Sequence, residues 1–207
     1  MFGKTQNLGY IVKKGIIMQQ NIKNFKLQAL EDAKFISTNL ATYEQDGIEK
    51  SWEILNAHDS VAILIYHKEK DSFILVKQFR PAVYMHNKSG MTVELCAGIV
   101  DKKLSLAKIA QEEVEEECGY RVSVESMQKI TSFYSSVGFA GSKQTLYYVE
   151  VDDSLKVSEG GGIDHEQIEV VYVPISDLKK FIFDESIAKT TGLSFAFMWW
   201  ELNYSKI

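Results

Sequence analysis

Five glutamates crowd into six residues, Glu112, Glu113, Glu115, Glu116 and Glu117, and Gly119 follows almost at once. No other stretch limits so sharply what the chain can become. On a helix turning by about 100° per residue, with Glu113 set at zero, Glu117 lies at about 40° and Glu116 at about 300°. The apolar Leu106, Ile109 and Ala110 fall at about 20°, 320° and 60°, whereas Lys108, Gln111, Glu112 and Glu115 lie between about 160° and 260°. Three carboxylates therefore share the inward face. A glutamate run is ordinarily a solvated face, and this phase opposes that reading. Like charges three and four apart repel, and a helix C-terminus favours cations over anions. A hard divalent cation, which takes oxygen ligands, would turn that repulsion into coordination. The run is predicted to be a metal site on a helix capped by Ser105 and ended by Gly119.

The remaining composition narrows the setting. A chain of 207 residues is long for one average domain and short for two. Its net charge of −5, from 23 basic and 28 acidic side chains, gives no support for nucleic-acid binding. Apolar runs such as VAILIY are of strand length, far below the roughly 18 residues of a membrane span. The first residues show no signal-peptide pattern, and Met18 could serve as an alternative start. The two cysteines, Cys96 and Cys118, have no zinc-ligand spacing and suit a reducing compartment. A cytoplasmic protein is expected.

Residues 1–22 have no clear period and are expected to be a poorly ordered extension. A small β region is expected over residues 23–57, from FKLQAL, FISTNLATYE and KSWEIL, with Asp46-Gly47 as a hairpin turn. Residues 58–207 read as the main domain. Its strands are VAILIY, SFILVKQF and TVEL, then segments near residues 127–133, 144–151 and 168–173. A loop is expected from Cys96 to Lys103, a short helix after Pro174, and a longer one across Ile187 to Leu202. Strands and helices without regular alternation indicate an α/β (α+β) sandwich around a mixed sheet.

The spacing from Gly98 through Glu113-Val114-Glu115-Glu116-Glu117-Cys118-Gly119-Tyr120 resembles the Nudix box, G-x5-E-x7-R-E-U-x-E-E-x-G-U with U apolar. Two positions depart from it: Leu104 stands for the first glutamate and Glu112 for the arginine, which normally helps orient neighbouring carboxylates. KSWEILNAHDSV, LVKQFRPAVY, MTVELCAG, VGFAGSKQTLYY and the glycines before EQIEVV resemble, in the same order, the UDP-sugar diphosphatases and the related ADP-ribose pyrophosphatases. Ser136-Val137-Gly138, where the ADP-ribose branch more often has Ser-Pro-Gly, tilts the resemblance toward UDP-sugars.

That resemblance implies a Nudix-type α/β/α sandwich. It also implies Mg²⁺, with Mn²⁺ as an alternative, bound by Glu113, Glu116, Glu117 and the carbonyl of Ala97. Arg80 would contact the diphosphate or else be a surface arginine; Glu94 would support the site or be structural. Glu116 and Glu166 are the catalytic candidates, with Asp164 competing with Glu166 for the role of base. Trp52 would stack on the nucleobase or belong to the core. None of the four histidines is assigned to the metal. The implied reaction is hydrolysis of a nucleotide-sugar to a nucleoside monophosphate and a sugar 1-phosphate, by a homodimer that pairs through its N-terminal strands. An ADP-ribose pyrophosphatase and a non-catalytic nucleotide sensor are the alternatives.

Overall fold

The structure, a computed structural model, describes residues 22–204. The expected extension over residues 1–22 therefore lies, but for Ile22, outside the described residues. Asp46 and Gly47 have φ of 55° and 77°, the left-handed pair that a two-residue hairpin turn requires. On either side of them β1 (Ile36–Gln45) and β2 (Ile48–Ala57) pair antiparallel over their whole length. This hairpin is a sheet of its own, and nearly all of its residues are exposed. It is tied to the rest of the chain by the Leu55 N–H, which donates to the Phe139 carbonyl at 2.7 Å.

The main sheet has seven strands: β3 (Ser60–His67), β4 (Ser72–Phe79), β5 (Met91–Glu94), β6 (Cys96–Ile99), β7 (Gln128–Tyr134), β8 (Lys143–Val151) and β9 (Glu169–Pro174). Their order is β5-β4-β3-β8-β7, with β6 also pairing β3 and β9 pairing β4. The β3–β8 ladder is parallel and the others are antiparallel, so the sheet is mixed as expected. In β3 and β4 the apolar runs Val61–Ile65 and Phe73–Val76 are fully buried, as strands covered on both faces must be. One face carries Val61, Ile63 and Ile65 against Ile109, Ala110 and Val114 of α2 (Leu106–Cys118). The other sets Ala62, Leu64, Phe73 and Leu75 against α3 (Leu178–Phe183) and α4 (Thr191–Tyr204). This is the expected α/β/α sandwich.

Three expectations are corrected. FKLQAL forms no strand, because no segment among the described residues pairs with it. The first four residues of the expected Cys96–Lys103 loop are β6, held by antiparallel pairing with Ser60–Ile63. A helix that was not anticipated, α1 (Pro81–Asn87), follows β4, with proline at its first position, where its missing N–H costs nothing. No helix among the described residues is long and apolar enough to cross a membrane.

Phe197 is fully buried on α4 and stacks on Phe73 with ring centroids 4.9 Å apart. Phe197→Ala should therefore cost about 3–5 kcal/mol, read as a lowered urea midpoint with an unchanged slope.

Candidate active site

Helix α2 is built as its sequence predicts. The Ser105 hydroxyl accepts from the Lys108 N–H at 3.2 Å, and Gly119 closes the helix at φ 79°. Its buried stripe is Ile109, Ala110, Val114, Glu117 and Cys118. Only Glu117 of the five glutamates is fully buried, at 4% exposure; Glu113 and Glu116, expected on the inward face, are half-buried like Glu112 and Glu115. The Ala97 N–H donates to Glu117 Oε2 at 2.9 Å, and the Cys96 thiol supports the same carboxylate. Glu113 lies directly under Gly98: a Cβ there would come 2.0 Å from Glu113 Oε1, so any side chain would displace that carboxylate. Burial first, then the Glu116 charge, raises Glu113 to about 7. Burial also raises Glu117 to about 8, against the Ala97 and Cys96 hydrogen bonds.

The last turn of α2 is finished by the glycine loop. Gly161 N–H donates to the Glu117 carbonyl at 2.9 Å and Gly162 N–H to the Glu116 carbonyl at 3.1 Å, satisfying groups that a helix end leaves open. The approach is too close for side chains, since a Cβ on Gly160 would lie 2.2 Å from the Glu117 carbonyl oxygen. Beyond the loop a tight turn aims Glu166: its N–H donates to the Ile163 carbonyl at 2.9 Å, and its Oε2 accepts from the Ile163 N–H at 3.1 Å. The Glu166 charge acts on Glu113, Glu117 and Arg80.

Arg80 follows β4, and β4–β5 pairing brings Glu94 to it. Arg80 Nε donates to Glu94 Oε1 at 2.8 Å and Nη2 to Oε2 at 2.7 Å, while the Thr92 hydroxyl donates to Oε1 at 2.5 Å. Burial pushes the Glu94 carboxyl up, but the Arg80 fork and Thr92 hold it below its usual range. Arg80 is thus a surface arginine, its side chain 46% exposed, that is anchored by Glu94, and its Nη1 has no partner among the described residues. Thr92 was not singled out from the sequence. The period-two spacing of MTVE, which puts Thr92 and Glu94 on one face, was the available signal.

Ala97, Glu113, Glu116, Glu117, Glu166, Arg80 and Glu94 are brought into one neighbourhood. Trp52 belongs elsewhere, on the hairpin. It is 56% exposed, which removes the core alternative, and its indole N–H donates to the Gly138 carbonyl at 2.6 Å.

The donor set at α2 fits a divalent cation: it is all oxygen, partly desolvated and mutually repelling. Among the described residues, the group whose ligand atoms lie within 4.8 Å of one another is not this set but His67, Glu69 and Asp153. There the Lys70 ammonium already contacts Asp153 and lies 2.6 Å from His67 Nε2, so a cationic side chain is present in that group.

The family model described as NUDIX domain matches residues 56–191. The chain belongs to the Nudix family. This Nudix chain is 39% identical over 186 residues to a protein named uridine diphosphate glucose pyrophosphatase NUDT14 from Bos taurus, covering 76% of this chain and 84% of that one. It is 34% identical over 166 residues to a GDP-mannose pyrophosphatase from Cronobacter sakazakii, covering 77% and 85%. It is 32% identical over 171 residues to another from Escherichia coli, covering 80% and 87%. Nudix hydrolases typically require a divalent metal, and the carboxylates of α2 are of the kind that binds one.

With Glu113 raised to about 7 and Glu117 to about 8, the metal-free native state binds protons more tightly than the unfolded chain. Its stability should be fully present below about pH 4.3, the ordinary glutamate value, and fall as pH rises through those folded values. Urea titrations in chelator at pH 5 and pH 8 should show the loss, and Glu117→Gln should reduce it.

Proposed function

We propose that the chain hydrolyses the diphosphate of nucleotide-sugars, with UDP-glucose-like substrates ahead of ADP-ribose, in the cytoplasm. The products are a nucleoside monophosphate and a sugar 1-phosphate. The observation that supports this reading is the electrostatic coupling of Glu113, Glu117 and Glu166 to one another, and of Glu117 and Glu166 to the anchored Arg80. The names of the relatives support the substrate class.

Glu113, Glu116, Glu117 and the Ala97 carbonyl would hold Mg²⁺, or Mn²⁺ in its place. When bound, such ions neutralise phosphate oxygens and make water nucleophilic at neutral pH. The chain's own groups do the rest. Arg80, its plane fixed by Glu94, presents a fork edge to a phosphate oxygen. Glu166 takes the proton of the attacking water as the bridging P–O bond breaks. The coupling of Glu166 to Glu113, Glu117 and Arg80 favours it over Asp164 as that base.

Residues 23–57 are proposed to mediate an isologous homodimer and to supply Trp52 as a stacking surface for the base. Leu40, Ile48 and Trp52 are 65%, 60% and 56% exposed, on a two-stranded hairpin of a kind that is marginal alone. Light scattering at micromolar concentration should give a dimer; a monomer would remove the interface.

The deciding assay is monophosphate release from UDP-glucose, GDP-mannose and ADP-ribose with Mg²⁺. UDP-glucose should be cleaved fastest. Glu117→Gln should lose more than the roughly 10–100-fold that loss of an outer metal partner costs, and wild-type activity in that variant would sink the metal assignment. Trp52→Ala should raise KM by roughly tenfold, the scale of one lost base stack, with kcat nearly unchanged.

A further inference from the structure

Glu112 stands where the family pattern has an arginine, one residue before the metal-ligand candidate Glu113. Both of its oxygens are engaged. Lys102 Nζ donates to Oε2 at 3.1 Å, and Lys108 Nζ lies 3.3 Å from Oε1, one turn back on the helix. Lys102 comes from the segment between β6 and α2, so this ion pair fastens that segment across the outside of the helix. The lysine also feels Glu116 and Glu113, after Glu112, and its charge in turn lowers Glu113. The ammonium held on Glu112 thus stands beside Glu116, four residues on and one turn along the same helix. A lysine is a compact charge on a flexible four-carbon stem, free to swing from one to the other.

We propose that Glu112 is a positioning residue that holds the Lys102 ammonium off Glu113 and Glu116, keeping those carboxylates open to a divalent cation with which Lys102 would otherwise compete. This rests on the reading of α2 as the metal site. An acid at position 112 then has a specific task that neither a neutral residue nor a cation could perform. A neutral side chain would release Lys102 onto the cluster. An arginine would repel both lysines and leave Lys102 the same inward partners.

Binding of Mn²⁺ to the metal-free full-length protein, without substrate, tests the idea by electron paramagnetic resonance of the free ion. Glu112→Gln should weaken Mn²⁺ binding by about threefold to fivefold, the scale of a partly exposed ion pair. Lys102→Gln should tighten it, and in that background Glu112→Gln should have little further effect. Equal effects of Glu112→Gln in both backgrounds would show that Glu112 acts only through its own charge, and would overturn the proposal. So would unchanged binding in Lys102→Gln. A wild-type protein that takes up no Mn²⁺ would overturn the metal reading along with it. Mn²⁺ uptake with the expected coupling, but no cleavage of nucleotide-sugars, would overturn the proposed substrate alone.

Discussion

The hydrogen bond from the Ala97 N–H to Glu117 joins the two parts that the site needs, the last turn of α2 and strand β6. Because β6 pairs with β3, the carboxylate is referenced to the central strand of the sandwich rather than to a loop. Gly98, the next residue, lets Glu113 lie against the same strand. The main-chain carbonyls of Glu116 and Glu117 receive the glycine loop, which leads to Glu166. A displacement of β6 or of the α2 terminus would therefore move four acidic groups at once.

That arrangement is locally unfavourable. A carboxylate at 4% exposure loses its hydration, and repulsion from neighbouring acids and the helix dipole add to the cost. The core offsets it. Both faces of the sheet are covered, with Val61, Ile63 and Ile65 packed toward α2 and Ala62, Leu64 and Phe73 toward α4. Local rules broken in one place within an otherwise consistent fold are a sign of function. Arg80 follows the same logic, since its bidentate pair with Glu94, itself held by the Thr92 hydroxyl, sets its plane before any phosphate arrives.

The hairpin is organised differently. Its register follows from local chemistry, the Asp46-Gly47 turn and matched strands, yet it buries little. Its ties to the main domain run through one loop, by the Leu55 N–H to the Phe139 carbonyl and the Trp52 indole to the Gly138 carbonyl. The result is a pre-formed ladder whose apolar side chains are exposed rather than spent on the core.

Periodicity and spacing in the sequence determined α2 with its caps at Ser105 and Gly119, the apolar strands β3 and β4, the Asp46-Gly47 hairpin, and the inward phase of Glu117. All of these depend on neighbours within a few residues. Tertiary structure alone decided the rest, because pairing partners lie far apart in the chain. FKLQAL alternates like a strand and is none for want of a partner among the described residues; CAGI does not alternate, yet β3 makes it one. The sequence marks Glu112 as an outward acid, but only folding brings Lys102 to it, and Arg80 to Glu94, since a salt bridge is set by where two side chains end and not by their spacing.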